Sequence, residues 1–148
     1  VISGKKESVK QGAEKCKEAG ARRAVMLNVS GPFHSDLLKG AGEKLEKVLD
    51  SIEINEPQIP YVANVNASYI TKQEDIKPLL VKQVSSSVRW QQSVETMVED
   101  GVDTFIELGP GRTLAGFNKK IGKAIGKELT TYSVGTMEEL EAVVAALS

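Results

Sequence analysis

Val102-Asp103-Thr104-Phe105-Ile106-Glu107-Leu108 runs without a break into Gly109-Pro110-Gly111, and the residues after it change period. The heptapeptide reads as a strand, the Gly-Pro-Gly as a tight turn, and Arg112 to Ile125 as a helix. Leu129 to Val134 reads as a second strand and Met137 to Leu147 as a further helix. A strand, a helix, a strand and a helix in close succession make an α/β unit with parallel strands.

Upstream, the same alternation continues. Trp90 to Asp100 is helical, with Val94, Met97 and Val98 apolar and Gly101 as its stop. Glu74 to Ser85 is another helix, and Pro78 fits only near its first turn. Pro60 to Asn66 reads as a short buried strand, preceded by an extended stretch, Ile52 to Pro60, broken by Pro57. Leu37, Leu38, Ala41, Leu45, Val48, Leu49 and Ile52 form an apolar stripe on a helix that Ser35 or Asp36 caps. Arg22 to Val29 reads as a strand, residues 5–19 as a helix ending at Gly20, and Val1-Ile2-Ser3-Gly4 as a strand already in progress. That terminus has no initiator Met and no secretory h-region. The fold class is α/β with a mostly parallel sheet.

Composition narrows the function. The chain has 148 residues, 41% hydrophobic and 26% charged, as expected of a folded domain. Nineteen basic against 20 acidic residues give a net charge of −1, which provides no overall pull on nucleic acid or an anionic membrane. No apolar run approaches a membrane span. The one cysteine, Cys16, excludes an intrachain disulfide and a multi-cysteine metal site. It falls on the apolar stripe of the first helix and reads as a small core residue, and a reducing, cytoplasmic setting fits this usage.

His34 is the only histidine, so any imidazole chemistry must use it. It follows a strand, sits in Ser30-Gly31-Pro32-Phe33-His34-Ser35, and precedes a helix. Functional groups in open α/β sheets gather at such strand ends, and an imidazole there can act as base and then acid. A packed histidine with both nitrogens satisfied is the other reading. No serine has Gly two positions before it, so the Gly-x-Ser-x-Gly elbow is not among these residues. Gly109-Pro110-Gly111-Arg112-Thr113 lacks the glycine spacing of a phosphate cradle, and Pro110 removes one N–H, so it reads as a strand-to-helix turn. Trp90 reads as half-buried at a helix start. The lysines at 119, 120, 123 and 127 read as a solvated helix face, with a docking patch for an acidic partner as the alternative. No spacing of acidic residues singles out a metal site.

Asn28-Val29-Ser30-Gly31-Pro32-Phe33-His34-Ser35, Tyr61-Val62-Ala63-Asn64-Val65, Gln83 through Val88-Arg89-Trp90, and Glu107-Leu108-Gly109-Pro110-Gly111 occur in this order and spacing. Together they resemble the malonyl-CoA:acyl-carrier-protein transacylases of fatty-acid synthesis, along the whole chain. The resemblance implies the C-terminal half of an α/β-hydrolase-like acyltransferase domain. Residues 1–28 would be the last strand–helix–strand of an inserted ferredoxin-like small subdomain, and residues 29–148 part of the large one.

The resemblance also implies roles. His34 matches the catalytic histidine of a Ser–His mechanism. Gln83 matches the position whose main-chain carbonyl orients the imidazole, so its side chain need not matter. Phe33 matches a residue that narrows the substrate pocket against an α-methyl branch, a bias toward malonyl worth about 1–3 kcal/mol. Malonyl-CoA is then a substrate and acyl carrier protein the partner that brings the phosphopantetheine thiol, with no cofactor or metal. The serine elbow, the carboxylate-binding arginine and the oxyanion-hole glutamine of the family have no counterpart in the chain. His34 would therefore need the N-terminal half of the same enzyme, and this polypeptide alone would be inactive. The alternative is a non-catalytic module that binds the carrier protein.

Overall fold

The computed structural model describes residues 1–148, which divide into two compact units, Val1–Val88 and Arg89–Ser148. In the first, α1 (Lys6–Glu18) is followed by a 3-10 turn at Asp36–Leu38 and α2 (Lys39–Asp50). A hairpin of β1 (Tyr61–Ala63) and β2 (Ser68–Ile70) comes next, then a 3-10 turn at Gln73–Asp75 and α3 (Ile76–Ser85). Ala63, Ile70 and Ile76 form the centre of its core, with Ile54, Tyr61 and Leu79 packed around them.

Helix α2 lies close against α3. A Cβ on the buried Gly42 would come within 3.2 Å of the Val81 carbonyl, so the missing side chain sets the approach of the two helices. Pro78 occupies the first turn of α3, where its absent N–H is not needed.

The antiparallel hairpin is a correction to the expected, mostly parallel arrangement. Asn64 to Ala67 turn the chain, with Ala67 at φ +54, and the Asn66 side-chain oxygen accepts the Ser68 N–H at 3.2 Å. The turn takes up the end of Pro60 to Asn66, which reads as one short buried strand, and leads into β2, which lies beyond it.

Three further expectations are corrected in this unit. Val1–Gly4 and Arg22–Val29 pair with no strand, and Val25, Met26, Leu27 and Val29 are 51–62% exposed. A strand is defined by its partner's hydrogen bonds, and the chain offers these apolar segments none. Helix α1 buries no residue, so Cys16 is exposed rather than core. Neither Ser35 nor Asp36 caps α2 with its side chain.

The second unit follows its expected order. It comprises α4 (Trp90–Glu99), β3 (Thr104–Leu108), α5 (Thr113–Ile125), β4 (Thr130–Val134) and α6 (Met137–Leu147). Strands β3 and β4 are parallel, Thr104 opposite Thr130 through Leu108 opposite Val134. Val94, Ile121, Val134 and Val143 are buried at its centre. Trp90 Nε1–H donates to the Asn118 side-chain oxygen at 3.1 Å, and the Asn118 amide donates to Thr131 Oγ1 at 3.3 Å. The amide thus satisfies the polar groups that tie α4, α5 and β4 together.

Helix α5 ends at Gly126, in the left-handed conformation at φ +68. Along β3, Phe105 and Glu107 are partly buried while Ile106 and Leu108 are 47% and 76% exposed, so one face of this sheet stays uncovered. No helix is long and apolar enough to cross a membrane.

Candidate active site

His34 sits in the left-handed region at φ +56. Histidine adopts this region more readily than most residues, yet a non-glycine there costs of order 1–3 kcal/mol. The surrounding turn holds it. Pro32 fixes its own φ, and Ser35 Oγ–H donates to the Pro32 carbonyl at 2.6 Å. Ser35 then leaves the turn extended, and its carbonyl accepts the Leu38 N–H at 3.0 Å. The consequence is an exposed imidazole aimed at the C-terminal end of α3.

There its Nδ1 lies 3.2 Å from the Gln83 carbonyl oxygen and 3.1 Å from that of Ser86. Both neighbours are acceptors only, so Nδ1 carries the hydrogen and shares it between them. In the neutral ring the lone pair is then on Nε2. Gln83 belongs to the last turn of α3 and Ser86 is its C-cap, where carbonyls lack helical partners and the negative end of the helix dipole lies.

The sequence pattern thus brings His34 and Gln83 together through the backbone. It gives no hint of the Ser86 carbonyl, because a main-chain acceptor carries no residue-type signal. Phe33, next to His34, is 51% exposed, and its ring folds back within 3.7 Å of where a Cβ on Gly31 would stand.

The Gly109-Pro110-Gly111 turn holds no vacant anion cradle. The Glu107 carboxylate already accepts the N–H groups of Leu114 and Ala115, each at 3.0 Å, and the Ser133 hydroxyl lies at 3.4 Å. These backbone hydrogen bonds at the start of α5 hold the Glu107 carboxyl below its ordinary value. The turn therefore closes on the protein's own carboxylate, in agreement with a structural strand-to-helix turn. Gly109 and Gly111 take φ +134 and +95, which only glycine adopts freely. Gly109 N–H donates to the Val134 carbonyl at 2.9 Å, and a Cβ on Gly135 would meet the Gly109 carbonyl at 3.2 Å.

Thr136 caps α6 by accepting the Glu139 N–H, and Glu139 reaches back to the Gly135 N–H at 2.7 Å. The lysines at 119, 120, 123 and 127 are exposed, as a solvated face requires.

The result is an exposed imidazole anchored through Nδ1 on main-chain carbonyls, with Nε2 on the opposite side of the ring from them. The chain belongs to the acyl transferase domain family, whose model matches residues 1–145. Within that family it is similar to the malonyl CoA-acyl carrier protein transacylase of Bacillus subtilis (strain 168), 43% identical over 147 residues, 99% of this chain and 45% of that protein. The transacylase of the same name from Haemophilus influenzae is 43% identical over 143 residues, covering 97% of this chain and 45% of its own.

Among solved structures, the acyl carrier protein S-malonyltransferase of Vibrio cholerae O1 biovar eltor matches with a TM-score of 0.86 at 42% identity, over 95% of this chain and 44% of that one. A malonyl-transacylase solved in complex with a type II polyketide synthase acyl-carrier protein matches with a TM-score of 0.89 at 39% identity, over 97% and 45%. The chain spans about 45% of the length of the curated relatives it matches. Its mixed α/β architecture fits the C-terminal half of the acyltransferase domain.

Proposed function

We propose that this chain supplies the general base of a malonyl-CoA:acyl-carrier-protein transacylase. The observation that carries the reading is His34, its Nδ1 held between the Gln83 and Ser86 carbonyls and its Nε2 left with the lone pair. In the proposed cycle Nε2 takes the proton of a serine hydroxyl as that oxygen attacks the malonyl thioester. The carbon–sulfur bond breaks, and Nε2–H protonates the departing coenzyme A thiolate. The phosphopantetheine thiol of the carrier protein next gives its proton to Nε2 and attacks the malonyl-serine ester, and the serine oxygen leaves with that proton. The two carbonyls keep the ring in one tautomer and face the positive charge formed at each half-step, the part a triad carboxylate plays elsewhere.

No cofactor enters this cycle, because coenzyme A and phosphopantetheine arrive with the substrate and the partner. Phe33 lines the acyl site and disfavours an α-methyl branch. Residues 1–28 are read as the end of a small subdomain and residues 29–148 as part of the large one. The reaction belongs in the cytoplasm, where its carrier and coenzyme substrates would be met.

The serine is not among these 148 residues, so the chain by itself is expected to be inert. Its intact mass after incubation with malonyl-CoA tests this. The unmodified mass is expected; a malonyl adduct would reveal a nucleophile within the chain and move the active site to it.

A second reading, a carrier-binding module without catalysis, draws on the exposed Lys119, Lys120, Lys123 and Lys127. It predicts carrier binding weakened by changing these lysines, and no transfer even when a serine-bearing segment is supplied.

A further inference from the structure

The general base is only as good as its orientation, and the ring's orientation depends on a backbone that a histidine holds at some cost. We propose that Ser35 is a positioning residue for His34, acting through its hydroxyl on the Pro32 carbonyl. The inference rests on the reading of His34 as the base, but its physical content is independent of activity.

The residues that could hold the turn are few. Pro32 and Phe33 offer no side-chain hydrogen-bonding group, and the His34 side chain is engaged with α3. Ser35 alone closes the turn on itself, at 2.6 Å, a short hydroxyl–carbonyl bond from a partly buried side chain. It brackets His34 between Pro32, whose φ is fixed, and its own extended backbone at φ −132 and ψ 162. Removing the hydroxyl frees the turn to relax φ at His34 toward the ordinary negative region. The imidazole then swings off the two carbonyls, and nothing fixes the hydrogen to Nδ1. Threonine keeps the hydroxyl and tolerates the extended backbone.

His34 is the only histidine, so the imidazole signals of a ¹⁵N-labelled sample of this chain belong to one ring. Two-bond ¹H–¹⁵N correlation, at a pH where the ring is neutral, reports which nitrogen carries the hydrogen. In the unaltered chain Nδ1 is expected in the protonated position and Nε2 as the lone-pair nitrogen. Ser35→Ala should shift the pair toward exchange between tautomers, and Ser35→Thr should keep the original pair. Unchanged nitrogen shifts in Ser35→Ala, or their loss in Ser35→Thr, would overturn the proposal. The threonine variant carries the test if the alanine variant does not fold.

With a serine-bearing segment supplied, Ser35→Ala should lower kcat about five- to tenfold without raising KM for malonyl-CoA, and Ser35→Thr should restore it. If His34→Ala left transfer intact, the reading of the base would fall while the spectroscopic result on Ser35 stood. The two failures are therefore separable.

Discussion

Glu107 shows how much one side chain can decide. It lies on a strand, yet its carboxylate reaches into the first turn of α5 and accepts the Leu114 and Ala115 N–H groups. Hydrogen bonds to the charged form lower its pKa from the ordinary 4.5. A folded value below the unfolded one means a contribution present above the unfolded pKa and lost as pH falls through the folded one. Thermal unfolding as a function of pH is the check: the difference in midpoint between the native chain and Glu107→Gln should shrink as the solution is acidified below the ordinary value of 4.5. A difference that stayed constant across this range would mean the charge is irrelevant to the cap. The motif containing Glu107 was legible in the sequence, but its use as a cap was not, because nothing in a strand pattern says that a carboxylate turns back on the next helix. His34 was legible as the sole histidine in a Gly-Pro turn, and Gln83 through the family pattern. The Ser86 carbonyl and the left-handed backbone of His34 were invisible, since both are properties of main chain.

Helices were the easiest elements to read, because their apolar period does not depend on a distant partner. The strands divide according to what pairs with them. β3 and β4 lie a helix apart and find each other, so their strand pattern and their pairing agree. Arg22 to Val29 has a strand's composition and no partner in the chain, and the turn through Asn66 cuts the expected Pro60 to Asn66 strand short and leads into a second strand, β2, that the pattern did not show. Close packing between elements was also silent in the sequence. Gly122 on α5 looks like a tolerated helix glycine, yet a Cβ there would stand 2.8 Å from the Lys127 carbonyl and 2.9 Å from the Leu129 side chain. Backbone cannot give way as a flexible side chain can, so Gly122→Ala should destabilise the chain by about 1–3 kcal/mol despite alanine's better helix propensity. Chemical denaturation decides this, and a neutral or stabilising effect would show that the turn after α5 adapts freely.

At the scale of the whole molecule, the family membership and the chemistry of His34 point the same way. On the proposed reading His34 is a base that needs a nucleophile to serve, and no serine of this chain stands on a Gly-x-Ser-x-Gly elbow. The relatives it matches are more than twice as long. Val25, Met26, Leu27 and Val29 in one unit, and Ile106 and Leu108 in the other, leave apolar surface uncovered, as expected where further protein packs. The most direct test of the central claim is malonyl transfer to acyl carrier protein after the chain has been joined to the serine-bearing segment of an acyl transferase domain, with His34 intact and as His34→Ala. Transfer is expected in the first and a loss of about 10²–10⁴-fold in the second, with the serine segment still able to bind malonyl-CoA. Transfer at an undiminished rate in His34→Ala would contradict that claim.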